Sequence, residues 1–264
     1  MNMNSAWVRT AIEYVQTALA LTAVLVVWEL ACDFWNVPSW LLPAPSRIVA
    51  ETWEIRSILP LHFAVTFSEV VGGFLIAIVT GVPIAILVVY SNLLRRIIYP
   101  VLLMLQSVPK VALAPLLLLW VGYGLLPNMA VAALVAFFPI VINTATGLES
   151  IDRELLDLTN SLESGKLKVF WKVRLPWSLP YLFSSLKVAI TLSVIGAIVA
   201  EFIGADRGLG YLMLTSSGAM KTSVMFGILV LLSALGIACF YVVCAAERLF
   251  CPWYMAPVDT QAQG

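Results

Sequence analysis

Six stretches of the chain, roughly 13–34, 66–90, 98–122, 127–147, 180–203 and 223–247, are predominantly apolar and about 20 residues long. A helix needs that length to cross the hydrocarbon core of a bilayer, where every backbone polar group must be satisfied within the chain. The remaining composition agrees: 61% of residues are hydrophobic and 11% are charged, against about 25% charged in soluble domains. The pattern predicts an all-α polytopic membrane protein with six transmembrane helices. The third stretch is interrupted by Pro109 and Pro115, which predicts a kinked or partly unwound segment.

Net charge is zero, which argues against nucleic acid as a partner. The four cysteines, at 32, 239, 244 and 251, form no CxxC pair and read as apolar fillers rather than a disulfide or metal framework. Leu30-Ala31-Cys32 resembles the end of a lipoprotein cleavage site, but Glu29 stands where an apolar residue is wanted, so the first stretch reads as a retained anchor.

Orientation follows from the basic residues. Arg9, Arg95, Arg96, Arg248 and the five bases between 148 and 178 fall on one side, against Arg47, Arg56, Arg207 and Lys221 on the other. Nine against four places the first set, and both termini, in the cytoplasm.

Charge is concentrated between Glu149 and Arg174, which hold five acids and five bases of the chain's thirty charged residues. Ile151, Leu155, Leu158 and Leu162 fall on one face of a short helix over 150–165. Ser150 is its candidate N-cap, Asp152 and Glu154 suit its positive end, and Gly165 can end it. In 166–175 bases alternate with Leu167, Phe170 and Trp171, and Pro176 and Pro180 are expected to stop that segment before the fifth span. On physics alone the island is either a solvated connector or a surface for a cytoplasmic partner.

Residues in and around the island carry a family resemblance. Asp157-Leu158-Thr159, then Glu163, then Val173-Arg174-Leu175-Pro176 resembles the EAA motif of ABC-importer permeases. Asp157 replaces the motif's Glu, Leu158 and Thr159 its alanines, and Glu163 its Gly, with Gly165 two residues later. Leu41-Leu42-Pro43-Ala44-Pro45-Ser46, Val108-Pro109-Lys110, Phe137-Phe138-Pro139 and Ala200-Glu201-Phe202 leading to Arg207-Gly208-Leu209-Gly210-Tyr211 are similar to the nitrate/sulfonate/taurine subgroup.

The resemblance implies the transmembrane domain of a type I ABC importer. Residues 1–64 would form an N-terminal span with an external segment, 65–250 a permease core with a coupling loop at 148–178, and 251–264 a cytoplasmic tail. Its implied partners are a second permease copy, two cytoplasmic ATPases that use ATP and magnesium, an external substrate-binding protein and membrane lipid. Asp157, Leu158, Thr159, Leu162, Glu163, Ser164 and Gly165 would couple to the ATPase. The implied location is a bacterial inner membrane. No cofactor is expected on this chain, since it lacks the GxxxxGK[ST] phosphate loop: no glycine lies five before Gly165, and Leu167 follows Lys166.

Gln106, Pro109, Lys110, Pro115, Asn143 and Glu201 are the candidate positions along a translocation path, because polar or irregular residues inside spans are costly unless they line one. Lys110 either faces that path or pairs with a backbone carbonyl or Glu69. Asn143 and Thr144 fit an interhelical hydrogen bond. Glu201 fits either the outer mouth or a cap on the loop that follows. His62, the only histidine, reads as a surface residue outside the membrane, Ser46 as an N-cap, and Gly72, Gly73, Gly81 and Gly196 as packing positions. A self-sufficient transporter or channel would call for inverted repeats or several intramembrane acids, and a membrane enzyme for a catalytic cluster. The sequence shows no repeat, few intramembrane acids and no catalytic cluster.

Overall fold

The computed structural model describes residues 3–162 and 165–254, and every regular element among them is helical. The chain divides into two units, residues 1–60 with 212–231, and residues 61–211 with 232–264.

In the first unit, α1 (Met3–Phe34) carries the apolar span Val15–Phe34, nearly all of it facing outward. Asn36 ends it with φ 46°, and the Val37 N–H donates back to the Cys32 carbonyl at 3.0 Å, a Schellman closure. The helix α2 (Pro45–Glu54) starts on a proline at its first turn, with Ala44 as its N-cap. Ser46 is therefore not the cap that the sequence suggested. Its N–H and hydroxyl instead donate to the Glu29 carboxylate at 3.0 and 2.5 Å. Ile48 is the buried face of α2, whereas Val49 and Trp53 are exposed and Arg56 lies 5.2 Å from the Trp53 ring. The end of α10 (Leu209–Gly218) and the first turns of α11 (Thr222–Phe250) complete this unit, with Gly227 against Thr52 and Phe226 against Trp28.

In the second unit, α3 (Leu59–Tyr90) begins seven residues before the expected start of the second span. His62 thus lies on the helix, and it is buried rather than a surface residue. The expected third span is two helices, α4 (Asn92–Ser107) and α5 (Lys110–Val121). Val108 is extended (ψ 133°) because Pro109 disfavours the helical region at the residue before it. At about 1.5 Å per residue α5 is only about 18 Å long, short of the roughly 30 Å hydrocarbon core. Among the described residues, five helices have the length and composition to cross a membrane, and α5 is a shorter apolar helix.

The helices α6 (Leu125–Glu149) and α9 (Leu175–Gly204) pack on each other most extensively. Small residues permit the approach: a Cβ at Gly196 would stand 2.7 Å from the Ala132 Cα, and one at Gly73 2.8 Å from the Met129 carbonyl. Gly72 abuts Met129 and Gly81 abuts Ile140, so all four glycines expected at packing positions are found there. Val70, Ala77, Ala132, Ala136, Ile140, Ala189 and Ala197 form the buried core, joined by Leu235 and Cys239 of α11. The Lys187 ammonium and the Glu247 carboxylate tie α9 to α11 at 2.5 Å.

Between α6 and α9 stand α7 (Arg153–Ser161) and α8 (Lys166–Val169), the latter leading into a π-helical turn, Phe170–Arg174. The expectation that Pro176 and Pro180 stop the helix is overturned: Leu167–Gly204 runs as one helical stretch of 38 residues. Pro176 falls in the first turns of α9, and the π-turn before it donates Leu175 N–H to the Phe170 carbonyl. That wider turn reroutes the carbonyls with which a proline ring would otherwise clash.

Candidate transport path and coupling surface

At the end of the second unit where α6 runs out, Ser150 caps the C-terminus of α6 rather than the N-terminus of α7. Its hydroxyl donates to the Gly147 carbonyl at 2.9 Å and accepts from the Trp177 indole at 3.2 Å. Asp152 holds the N-terminal place of α7, its carbonyl receiving the Leu156 N–H, and Glu154 lies in the first turn as expected. The helix ends at Ser161, so Gly165 precedes α8 instead of closing α7. Glu163 and Ser164 lie outside the described residues.

Thr159 of α7 and Ile151 just before it are buried, and the Thr159 hydroxyl donates to the Leu156 carbonyl at 2.7 Å. Asp157, Leu158 and Leu162 point outward, the two leucines 56% and 68% exposed. A nine-residue helix with bare leucines beside a carboxylate is an incomplete surface. Its footing is firm: Arg95 pairs with Glu149 at 3.1 Å, and Tyr90 sits between Phe170 and the Arg174 guanidinium, 5.3 Å away.

The α4–α5 break gathers the mid-chain candidates. Pro109 is exposed at the N-cap of α5, Lys110 follows with its ammonium 5.0 Å from the Phe138 ring of α6, and Pro115 is exposed inside α5. Gln106 precedes the break on α4. The acid considered as a partner of Lys110, Glu69, instead accepts from the Asn128 amide at 2.8 Å. Asn143 is half-buried on α6, and the buried Thr144 hydroxyl makes no hydrogen bond among the described residues, so the expected interhelical bond is not seen there.

The opposite end of α6 and α9 holds a polar cluster that the sequence reading dispersed. Glu201, 1% exposed, accepts from the Thr66 hydroxyl at 2.6 Å, from the Tyr211 N–H at 3.2 Å and from the Gly210 N–H. Thr66 in turn accepts the Leu209 N–H at 2.7 Å, and His62 Nδ1 the Gly208 N–H at 3.0 Å. Three side chains thereby satisfy the orphan N–H groups at the start of α10. Gly208 has φ +122°, and a Cβ there would fall on the Glu201 carboxyl. Of the two roles open for Glu201, the cap is the one this geometry shows. Gly208 and Glu201 were each marked in the sequence, but their meeting with Thr66 was not, since Thr66 and Glu201 lie 135 residues apart.

These parts, a helix break at Val108–Pro109 and a small exposed helix between two tightly packed helices, suit a transport subunit worked by another protein. A family model described as "binding-protein-dependent transport system inner membrane component" matches residues 62–252. The chain belongs to that family.

As a permease of this family it is a transport subunit of an ABC importer, with ATP hydrolysis on a separate subunit. A formylaminopyrimidine transport permease of Halalkalibacterium halodurans is 33% identical to this permease, covering 90% of this chain and 95% of its own length. A putative aliphatic sulfonates transport permease of Escherichia coli is 30% identical over 87% of this chain and 88% of its own. The latter agrees with the nitrate/sulfonate/taurine resemblance. Among solved structures, the inward-facing MetNI methionine ABC transporter superposes with a TM-score of 0.65 at 20% identity, covering 75% of this chain and 98% of that one, so the two share a fold.

Proposed function

We propose that two copies of this permease, with two cytoplasmic ATPases and an external binding protein, import a small polar solute across a bacterial inner membrane. The α7 surface carries this reading. Asp157 and Leu158 on α7, and Leu162 just after it, stand exposed between α6 and α9, the most extensively packed pair. An ATPase cleft that buries the two leucines would move α7, and the π-turn offers a place for that motion to enter α9. ATP and magnesium act on the ATPase, not on this chain.

In this reading the basic flank of α8 and the π-turn is cytoplasmic, as the distribution of arginine and lysine supports. The path runs by the α4–α5 break, where Pro109 interrupts the helix and Lys110 places a cation beside it. Gln106, Pro115 and Asn143 belong to the same region. Glu201 anchors the far end without contacting cargo. The relatives' names frame the cargo as an organic solute such as a sulfonate or an aminopyrimidine.

The test is copurification. Leu158→Glu should abolish recovery of the ATPase with the permease, and Asp157→Lys should weaken it, while the permease itself stays monodisperse. ATPase recovery equal to wild type in Leu158→Glu would remove α7 as the docking element.

A further inference from the structure

Two acids meet in the polar cluster where α6 begins and α9 ends. Glu69 of α3 and Glu201 of α9 are each 1% exposed, and their carboxyls are hydrogen-bonded to one another. An ionised carboxyl only accepts, so two of them share a hydrogen bond only when one carries a proton. Two buried like charges in contact would also repel at full strength.

The surrounding donors show which acid carries the proton. Glu201 accepts from the Thr66 hydroxyl at 2.6 Å, from the Tyr211 N–H at 3.2 Å and from the Gly210 N–H. The two N–H groups belong to the first turn of α10, whose positive end favours an anion. Glu69 has the Asn128 amide 2.8 Å from its Oε1, and among the described residues no donor reaches its Oε2. The negative charge therefore belongs on Glu201, and the proton on the Glu69 Oε2.

No other ionisable group around the pair takes over this part. His62 Nδ1 accepts from the Gly208 N–H at 3.0 Å, and its ring stacks on Tyr211. Tyr123 lies against Gly204. Asp206 and Arg207 line a cavity of about 230 Å³ beside Glu69, where the Arg207 guanidinium is 59% exposed and 3.8 Å from Asp206. Lys110 of α5 sits further along α6, at Phe138, and the Lys187–Glu247 pair sits back along α9. The cavity brings solvent near the pair, whereas the Glu69 Oε2 itself is fully buried.

We propose that Glu69 and Glu201 form a proton-sharing clasp joining α3, α9 and the start of α10, and that loss of its proton at alkaline pH releases the start of α10. Glu69 is a positioning residue: its proton holds the Glu201 carboxylate against the Gly210 and Tyr211 N–H groups. Deprotonation passes that proton to water and leaves two carboxylates in contact, which drives Glu201 and the helix turn bonded to it away from α3. The clasp goes beyond the importer reading and does not rest on it.

The experiment uses the full-length permease in nanodiscs. The infrared difference spectrum at pH 7, wild type minus Glu69→Gln, should contain a carboxylic-acid C=O stretch that shifts in D2O. A glutamine mimics the protonated acid, since its oxygen accepts from Asn128 and its amide donates to Glu201, so Glu69→Gln should fold. A glutamate in the unfolded chain has lost its proton above about pH 4.3, whereas the folded pair keeps one. Wild-type stability therefore falls as pH rises, until the pair gives its proton up. The thermal midpoint of Glu69→Gln should pull ahead of wild type by about 3–5 °C per pH unit over that range. Glu201→Gln, which sets an amide where those donors need an anion, should lower the midpoint at pH 7 by several degrees. Amide exchange at Gly210 and Tyr211 should rise with pH more steeply in wild type than in Glu69→Gln.

A difference spectrum that shows a carboxylate band in place of the acid band overturns the proposal. So does a Glu69→Gln chain that does not fold, or one whose midpoint and amide exchange follow pH as wild type does. Tolerance of Glu201→Gln with loss of Glu69→Gln would put the proton on Glu201 and overturn the assignment. A midpoint raised by sodium chloride but not by choline chloride also overturns it, in favour of a cation held between two carboxylates.

Discussion

The polar cluster depends on the missing side chain of Gly208 and on the hydroxyl of Thr66. At Gly208 a side chain faces both a left-handed backbone, φ +122°, and the Glu201 carboxyl. Gly208→Ala should therefore destabilise the purified permease by about 2 kcal/mol or more, read as a lowered thermal midpoint in detergent. Thr66 donates to Glu201 and accepts from Leu209. Thr66→Val should cost about 1–3 kcal/mol by removing one donor from the buried Glu201 carboxyl and orphaning the Leu209 N–H, whereas Thr66→Ser should stay near wild type. Equal midpoints for Val and Ser would mean that the hydroxyl contributes nothing. The sequence marked Glu201 and the glycines after it but read His62 as a surface residue. A single histidine before an apolar run carries no sign that a loop 146 residues away will use its ring nitrogen as a cap.

Among the elements, the prolines were legible as interruptions but not in their effects. Pro109 ends α4 and begins α5, whereas Pro83, Pro100, Pro115, Pro139 and Pro180 sit inside helices. Composition does not distinguish these cases, because the outcome depends on whether the neighbouring turn can widen, as it does at Phe170–Arg174 before Pro176. Helix α7 was readable from its periodicity, yet its caps were displaced by two or three residues, since Ser150 serves the helix before it. The break should matter for transport rather than for assembly. Pro109→Ala lets α4 and α5 join and should reduce solute uptake several-fold in vesicles while leaving ATPase recovery unchanged; undiminished uptake would make the break dispensable. The close helix approach at Gly196 should tolerate no bulk. Gly196→Leu would push α9 from the Val131–Ala132 backbone, and the protein should fail to purify as a folded species, whereas Gly218→Ala, in open space, should be silent.

For the whole molecule, hydropathy gave the membrane class and the placement of most spans, because burial in lipid leaves the backbone few alternatives. It read α4 and α5 as one stretch, because a hydropathy window sums over a break that only backbone geometry reveals. The family match covers 62–252 and leaves α1 outside it, and the α1 span is only 6% buried. Deleting residues 1–34 should therefore leave the α3–α6–α9 core folded, with a monodisperse elution profile. Aggregation of the shortened chain would show that α1 is integral to the fold.

The distance along the chain between Thr66 and Glu201 also sets a timetable for biosynthesis. With 135 residues between them and a ribosome adding about 5–20 residues per second, the hydroxyl precedes its carboxylate by roughly 7–27 s. During that interval α3 has left the ribosome with Glu69, while α9 and the loop after it do not yet exist. The nascent helix must therefore wait at the insertion machinery, or in the bilayer, with its acid first met by Asn128 of α6 and only later by the neighbourhood of Glu201. The order of synthesis thus makes the α3–α6 pair the earliest polar contact of the second unit, and α9 the piece that closes it.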